Sequence, residues 1–296
     1  MKHYQSDVAV IGAGLAGIVT ALELLDCGYT VALLDGSPDG ALGGQANDAF
    51  GGMLLTGTAE QARNRIKDSP ELLLADWLRA GEFQADDHWP KAWATLYAEQ
   101  CTPMIYRWLI AHGIRFFPSV QWVERGLHGN GNSLPRYHIA WGCGRGIAST
   151  LADALTQHPK AENLQLLRGH RVESFEQNAT GVSGCMGVTD YCLTGTDTNT
   201  EQFQFTVSSD NTVVCSGGIN GNLEKVRQNW DTCYDPPPFV NAWSAAKALA
   251  ASPSVFSKKW RQNKSRKALV GTVSQNCAEP WMAEPKPHRE VLRRVL

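Results

Sequence analysis

The chain has 296 residues, 19% charged and 43% hydrophobic, with 28 Gly, 14 Pro and a net charge of −2. That composition excludes a disordered or collagen-like chain, and the near-neutral balance gives no expectation of nucleic acid as a partner. Eight cysteines without a CxxC pair predict no disulfide framework, and no Cys/His cluster is spaced for zinc, so a cytoplasmic setting is expected and no metal.

In chain order, Asp7 to Ile11 reads as a short buried parallel strand. Leu15 to Cys27 follows as a helix, with Leu15, Ile18, Val19, Leu22 and Leu25 at helical spacing and Gly28 as its stop. The apolar stretch Val8 to Leu25 carries Gly12, Gly14, Gly17 and Glu23, so no membrane span is expected. The opening residues do not read as a secretion signal. Thr30 to Leu34 is the next strand, ending at Asp35. Ser69-Pro70-Glu71 starts a helix that continues from Leu72 to Arg79. Trp93, Tyr97, Cys101, Met104 and Trp108 mark one face of a single helix from Lys91 to His112, closed by Gly113. Gly146 to Gln157 is a further helix. Leu164 to Leu167, His170 to Phe175 and Phe203 to Val207 read as strands, and Thr212 to Cys215 as a last buried one. The fold class is α/β, a parallel sheet with added antiparallel strands.

Gly12-Ala13-Gly14-Leu15-Ala16-Gly17 is GxGxxG between a strand and a helix, and Asp35 lies 18 residues beyond Gly17. Alone the motif is weak; in that context it reads as a dinucleotide site. Gly12 allows the tight turn, Gly14 lets a pyrophosphate reach the backbone, and Gly17 lets helix and strand pack closely. The helix start offers N–H groups and about half a positive charge to the phosphates. Asp35 can accept from ribose hydroxyls. The competing reading is a strand–helix turn with incidental glycines, which requires all four features to coincide by chance.

The unit alone leaves NAD and FAD open. A second glycine-dense loop follows, from Leu42 to Met53, with pairs Gly43-Gly44 and Gly51-Gly52. An NAD domain would continue with another strand–helix repeat. This loop instead suits a flat, bulky group such as a flavin, and its Leu42, Ala49, Phe50 and Met53 are more apolar than a solvated linker needs.

VAVIGAGLAGIVTALEL with Asp35, LGGQANDAFGGM and TVVCSGGINGN together resemble the FAD-dependent dehydrogenases and reductases of the fumarate reductase and ketosteroid dehydrogenase superfamily. The resemblance covers roughly residues 5–236. DDHWPKAW, HGNGNSLPRYHIAWGCGRG and SGGINGNLEKVRQNW resemble stretches of a group of bacterial FAD-binding dehydrogenases. The resemblance implies a Rossmann-like FAD-binding domain and an oxidoreductase acting on CH–CH groups, with hydride moving to or from flavin N5. The implied partner is a small-molecule substrate with a CH–CH or C=C bond. It implies that Gly12, Ala13, Gly14, Leu15 and Ala16 hold the pyrophosphate and Asp35 the ribose. Gly43, Gly44 and Gln45 would lie along the phosphate and ribityl chain, and Ala49, Gly51 and Gly52 would approach the isoalloxazine. Val172 would meet adenine through its backbone, and Ser216 and Gly217 stand for the family's Thr-Gly turn, with Cys215 in place of its alanine.

The balance changes after Pro236. Residues 1–236 carry 16 Lys+Arg against 26 Asp+Glu, a net of −10, and residues 237–296 carry 11 against 3, a net of +8, together the −2 of the chain. Only Gly271 of the 28 glycines lies in the second part. The expectation is an FAD-binding domain in 1–236 and a basic, non-native or disordered tail in 237–296. The family's capping domain would then be largely missing and the chain truncated. The alternative function is a non-catalytic remnant that does not retain FAD. No catalytic acid or base is assigned. Arg136, His138 and Trp141 either line a substrate pocket or serve ordinary loop packing. His88 reads as a helix lead-in, and Cys215 as a packing residue.

Overall fold

The computed structural model describes residues 1–37, 40–123, 125, 131–179, 181–189, 203–218 and 224. The expectations for the 237–296 tail and for most of 219–230 lie outside the described residues. In chain order the elements are β1 (Lys2–Ile11), α1 (Leu15–Asp26), β2 (Val31–Asp35), a 3-10 turn (Gly44–Asp48), β3 (Gly52–Leu54), α2 (Ala59–Arg63), α3 (Pro70–Gly81) and α4 (His88–Gln100). A π-helical segment (Cys101–Tyr106), α5 (Arg107–Ala111), β4 (Tyr137–Ile139), α6 (Cys143–Thr156), a 3-10 turn (Ala161–Asn163), β5 (Leu164–Arg168), β6 (His170–Asn178), β7 (Gly181–Thr189) and β8 (Gln204–Val214) follow. Two compact units emerge, one built on residues 1–51 and 141–217, the other on 52–140.

The first unit is a six-stranded sheet in the order β5-β2-β1-β8-β7-β6. β5, β2, β1 and β8 run parallel, while β7 and β6 are antiparallel additions. This is the expected α/β arrangement. β1 lies between β2 and β8, so Val8, Ala9 and Val10 are buried. That placement explains an apolar run without alternation. α1 buries Ile18, Ala21, Leu22, Leu24 and Leu25. Each of the Ile and Leu side chains contributes roughly 1.5–3 kcal/mol of burial. The helix ends at Asp26 with Cys27 as its cap, beside the expected Gly28.

Two strand expectations need correction. Phe203 to Val207 and Thr212 to Cys215 are not separate strands: β8 runs unbroken from Gln204 to Val214. The polar stretch between them looks like a turn, but it pairs with the equally polar start of β1, Gln5 with Ser208 and Ser6 with Ser209. β7 carries three glycines and gives little strand signal. Two of them serve close approach: a Cβ on Gly184 would lie 2.0 Å from the Val207 carbonyl oxygen and one on Gly187 1.9 Å from the Arg171 carbonyl oxygen.

The second unit is largely helical, with a small antiparallel sheet of β3 and β4. Ser69 caps α3 by accepting from the Leu72 N–H, with Pro70 at the first turn, as expected. The expected single helix from Lys91 to His112 is instead α4, the π segment and α5. Pro103 has no N–H for the i−4 bond, and the wider turn absorbs the break. The buried side is therefore Ala94, Ala98, Cys101, Tyr106 and Leu109, while Trp93 is 56% exposed and Met104 is 42% exposed. His88 opens α4, as expected. Among the described residues, no helix is long and apolar enough to cross a membrane, and the described cysteines are all free.

Candidate cofactor site

The site is built at the ends of β1, β2 and β8 in the first unit. The Gly12 N–H donates to the Leu34 carbonyl at 2.7 Å, and the Cys215 N–H to the Ile11 carbonyl at 2.7 Å. These bonds draw three strand ends together. Gly12 has φ +101°, and a Cβ there would lie 2.4 Å from the Cys215 carbonyl oxygen. No other residue fits that corner. Gly17 packs as tightly: a Cβ would sit 1.8 Å from the Gly12 carbonyl oxygen.

Gly14 differs from both. It is the N-cap of α1 at φ −72°, no side chain caps the helix, and no acid stands in the first turn. A Cβ built on Gly14 meets nothing within 4 Å. An uncapped start of a 12-residue helix, facing open space, fits an anionic group such as a pyrophosphate.

The second glycine loop closes on the first. Gly14 and Gly43 form an isolated parallel bridge, and the Gly43 N–H donates to the Ala13 carbonyl at 2.8 Å. A Cβ on Gly43 would strike the Ala148 side chain at 2.5 Å, and one on Gly144 would lie 2.1 Å from the Ala46 carbonyl oxygen. The Gly144 N–H donates to the Ala49 carbonyl at 3.0 Å. Thus α6 backs the segment 43–49. Gly51 abuts Cys143 and Gly144 at 2.5–2.6 Å from an ideal Cβ.

Asp35 ends β2, and its carboxylate accepts the Ala13 N–H at 2.7 Å and the Ser37 N–H at 2.8 Å. A carboxylate has about four lone-pair sites, so acceptor capacity remains for ribose hydroxyls. Ala13 is fully buried, and its N–H and carbonyl serve Asp35 and Gly43. It acts as an internal strut rather than an open surface. Gly36 meets the Arg171 stem, 3.3–3.5 Å from an ideal Cβ, which puts the strand bearing Val172 beside the end of β2. Gly44 approaches the Gly14 backbone at 3.3 Å from an ideal Cβ. Gln45, Ala49, Ser216 and Gly217 are exposed, and Leu15 and Ala16 lie in the first turn of α1.

The first unit contains Gly12, Ala13, Gly14, Leu15, Ala16, Asp35, Gly43, Gly44, Gln45, Ala49, Gly51, Val172, Ser216 and Gly217. Gly52 belongs to the second unit, paired with Ile139 and covered by the Tyr137 ring. Asn47 escaped the sequence reading. Its side chain donates to the Leu42 carbonyl at 2.8 Å and covers Gly43. The one available signal was asparagine's habit of bonding its own backbone beside a glycine turn.

Arg136 and His138 belong to the second unit. In the second unit Arg136 is fully buried, paired with Asp68 at 2.7 Å and with Asp76 at 2.5 Å. Burial opposes its charge, but the two carboxylates outweigh burial and keep the guanidinium protonated. Burial likewise pushes Asp76 upward, yet bonds from the Ser133 backbone, Arg136, the Ser133 hydroxyl and Arg79 bring it down to about 2. His138 shares a 2.7 Å hydrogen bond with the Thr58 hydroxyl, and burial lowers its pKa. Their side chains are thus bonded within the second unit. Trp141, in the first unit, is 56% exposed. Cys215 sits 4.0 Å from the Thr20 hydroxyl with its thiol pushed up by burial, which suits packing.

The family model described as FAD binding domain matches residues 7–241. A KsdD-like steroid dehydrogenase of Mycolicibacterium smegmatis is 39% identical over 235 residues, 76% of this chain and 42% of its own. A fumarate reductase (cytochrome) of Shewanella frigidimarina is 27% identical over 225 residues, 76% of this chain and 35% of its own. Among solved structures, the open conformation of a flavocytochrome c3 fumarate reductase aligns with TM-score 0.61 at 23% identity, covering 76% of this chain and 36% of that one. The 3-ketosteroid-delta4-(5alpha)-dehydrogenase of Rhodococcus jostii aligns with TM-score 0.61 at 20% identity, covering 85% and 54%. These two share the fold. The chain spans about two fifths of the length of the curated relatives it matches.

Proposed function

The chain belongs to the FAD binding domain family, and from that premise we propose that it is the flavin-binding part of an oxidoreductase acting on CH–CH groups. FAD is the family's cofactor; when bound, it supplies a ring nitrogen, N5, that takes or gives a hydride. The protein's own share is binding and orientation. The backbone of Gly12, Gly14, Leu15 and Ala16 holds the pyrophosphate, and Ala13 braces it. The α1 dipole lowers the cost of gathering two phosphate charges there. Asp35 accepts from the adenosine ribose, with Val172 alongside the adenine. Gly43, Gly44 and Gln45 follow the phosphate and ribityl chain. Ala49 and Gly51 approach the ring, and Ser216 and Gly217 close the β8 side.

The flavin-binding part is placed within residues 1–236, with 237–296 outside it. The substrate class is a small molecule with a CH–CH or C=C bond, in line with relatives named for steroid and fumarate chemistry, and the setting is cytoplasmic. One observation carries the reading: two glycine loops and a third strand end are hydrogen-bonded around one uncapped helix start. The test is to denature the purified chain and chromatograph what is released. FAD in the supernatant supports the reading. NAD in its place would replace it, and a chain that neither carries nor takes up FAD would select the non-retaining remnant.

A further inference from the structure

We propose that Asp35 and Asn47 are positioning residues that fix the cradle from opposite sides through a single residue, Ala13, held at its N–H on one side and at its carbonyl on the other; the proposal rests on the cofactor reading above. Asp35 Oδ2 accepts the Ala13 N–H at 2.7 Å, and Oδ1 accepts the Ser37 N–H at 2.8 Å. The Ala13 carbonyl accepts the Gly43 N–H at 2.8 Å. Gly43 lies under the Asn47 amide, whose Oδ1 and Nδ2 would each be 3.1 Å from a Cβ on Gly43. Asn47 Nδ2 then donates to the Leu42 carbonyl at 2.8 Å. The relay Asp35, Ala13, Gly43, Asn47 ties the end of β2 to the second glycine loop.

Ala13 is fully buried, so water does not readily replace a lost partner at its N–H or at its carbonyl. Ala13 also precedes Gly14, the N-cap of α1. Displacing Ala13 displaces the helix-start N–H groups. Asp35 thus has a duty separate from ribose recognition, and Asn47 supports the site without being assigned any cofactor contact. Both loops are held in their working shape before a ligand arrives, which lowers the ordering cost of binding.

The test uses the full chain as purified, in wild-type form and as D35N, N47A and N47D. N47D keeps the shape of asparagine and removes the donor. Hydrogen exchange is followed by mass spectrometry in peptides covering 12–17 and 42–48. Binding of ADP and of 2′,3′-dideoxy-ADP is measured by calorimetry after removal of bound nucleotide. Each variant is expected to speed exchange in both segments, including the one remote from the substitution. Each is expected to weaken both nucleotides about tenfold, the size of one lost hydrogen bond, with D35N weakening ADP further. The proposal is overturned if either residue's variants leave the remote segment at its wild-type rate, or if D35N binds the dideoxy nucleotide within twofold of wild type. Should D35N fail to fold, the two Asn47 variants decide through the 12–17 segment. A wild-type chain that binds no ADP would defeat the cofactor reading, while exchange would still judge the relay.

Discussion

Gly17 touches Gly12 where α1 leaves the sheet: a Cβ on Gly17 would lie 1.8 Å from the Gly12 carbonyl oxygen. The obstacle is backbone, which cannot swing aside as a side chain can. Gly17→Ala therefore levers α1 away from β1. The expected cost is about 3 kcal/mol, seen as a fall of roughly 6–12 °C in Tm. An unchanged melting curve would mean that helix and strand are not packed this closely.

The strand–helix–strand start was legible because its chemistry is local. Val8 to Val10 sit in a buried central strand, Ile18 to Leu25 follow the helical period, and Gly12 answers one corner. The helix over 91–112 was not legible as three pieces, because residues at helical spacing do not by themselves say where a proline breaks the ladder or which side the core accepts. Ala94 and Ala98 are what the core accepts, and Trp93 faces outward. β7 and the middle of β8 owe their structure to partners distant in sequence, so local pattern says little about them. Within the site, the glycines were legible by spacing. The support from Asn47, Ala148 and Gly144 was not, since it depends on how α6 meets the segment 43–49.

Thr58 caps α2 by accepting the Gln61 N–H at 3.1 Å while Gln61 returns a bond to the Thr58 N–H, and its hydroxyl also pairs with His138. Removing it loses a cap and leaves a buried imidazole nitrogen unpaired. Thr58→Ala is expected to cost about 2 kcal/mol in chemical denaturation. Thr58→Ser, which keeps the oxygen, is expected to stay within about 0.5 kcal/mol of wild type. Equal losses in the two variants would assign the effect to the missing methyl instead.

Arg136→Met leaves Asp68 and Asp76 buried without their shared cation, and breaking such a pair is expected to cost about 3–5 kcal/mol. The cluster also predicts a pH dependence. Asp76 is lowered from 3.8 to about 2, so its ionised form stabilises the fold fully above pH 3.8 and that contribution fades as pH falls toward 2. Urea unfolding of wild type and Asp76→Asn should therefore differ most at neutral pH and converge over that acid range. A constant gap between the two curves would rule out ionisation of Asp76 as the source.

Gly14→Ala separates folding from binding. Its φ of −72° suits alanine, and nothing lies within 4 Å of the new Cβ, so the fold is expected to lose nothing in Tm. The added methyl stands where a pyrophosphate must approach the helix start. The most direct measurement is fluorescence titration of wild type and Gly14→Ala with FAD, alongside their melting curves without it. Saturable binding by wild type, at least tenfold weaker binding by the variant, and matching melting temperatures are the predicted result. A variant that takes up FAD as tightly as wild type would contradict a phosphate cradle at the start of α1.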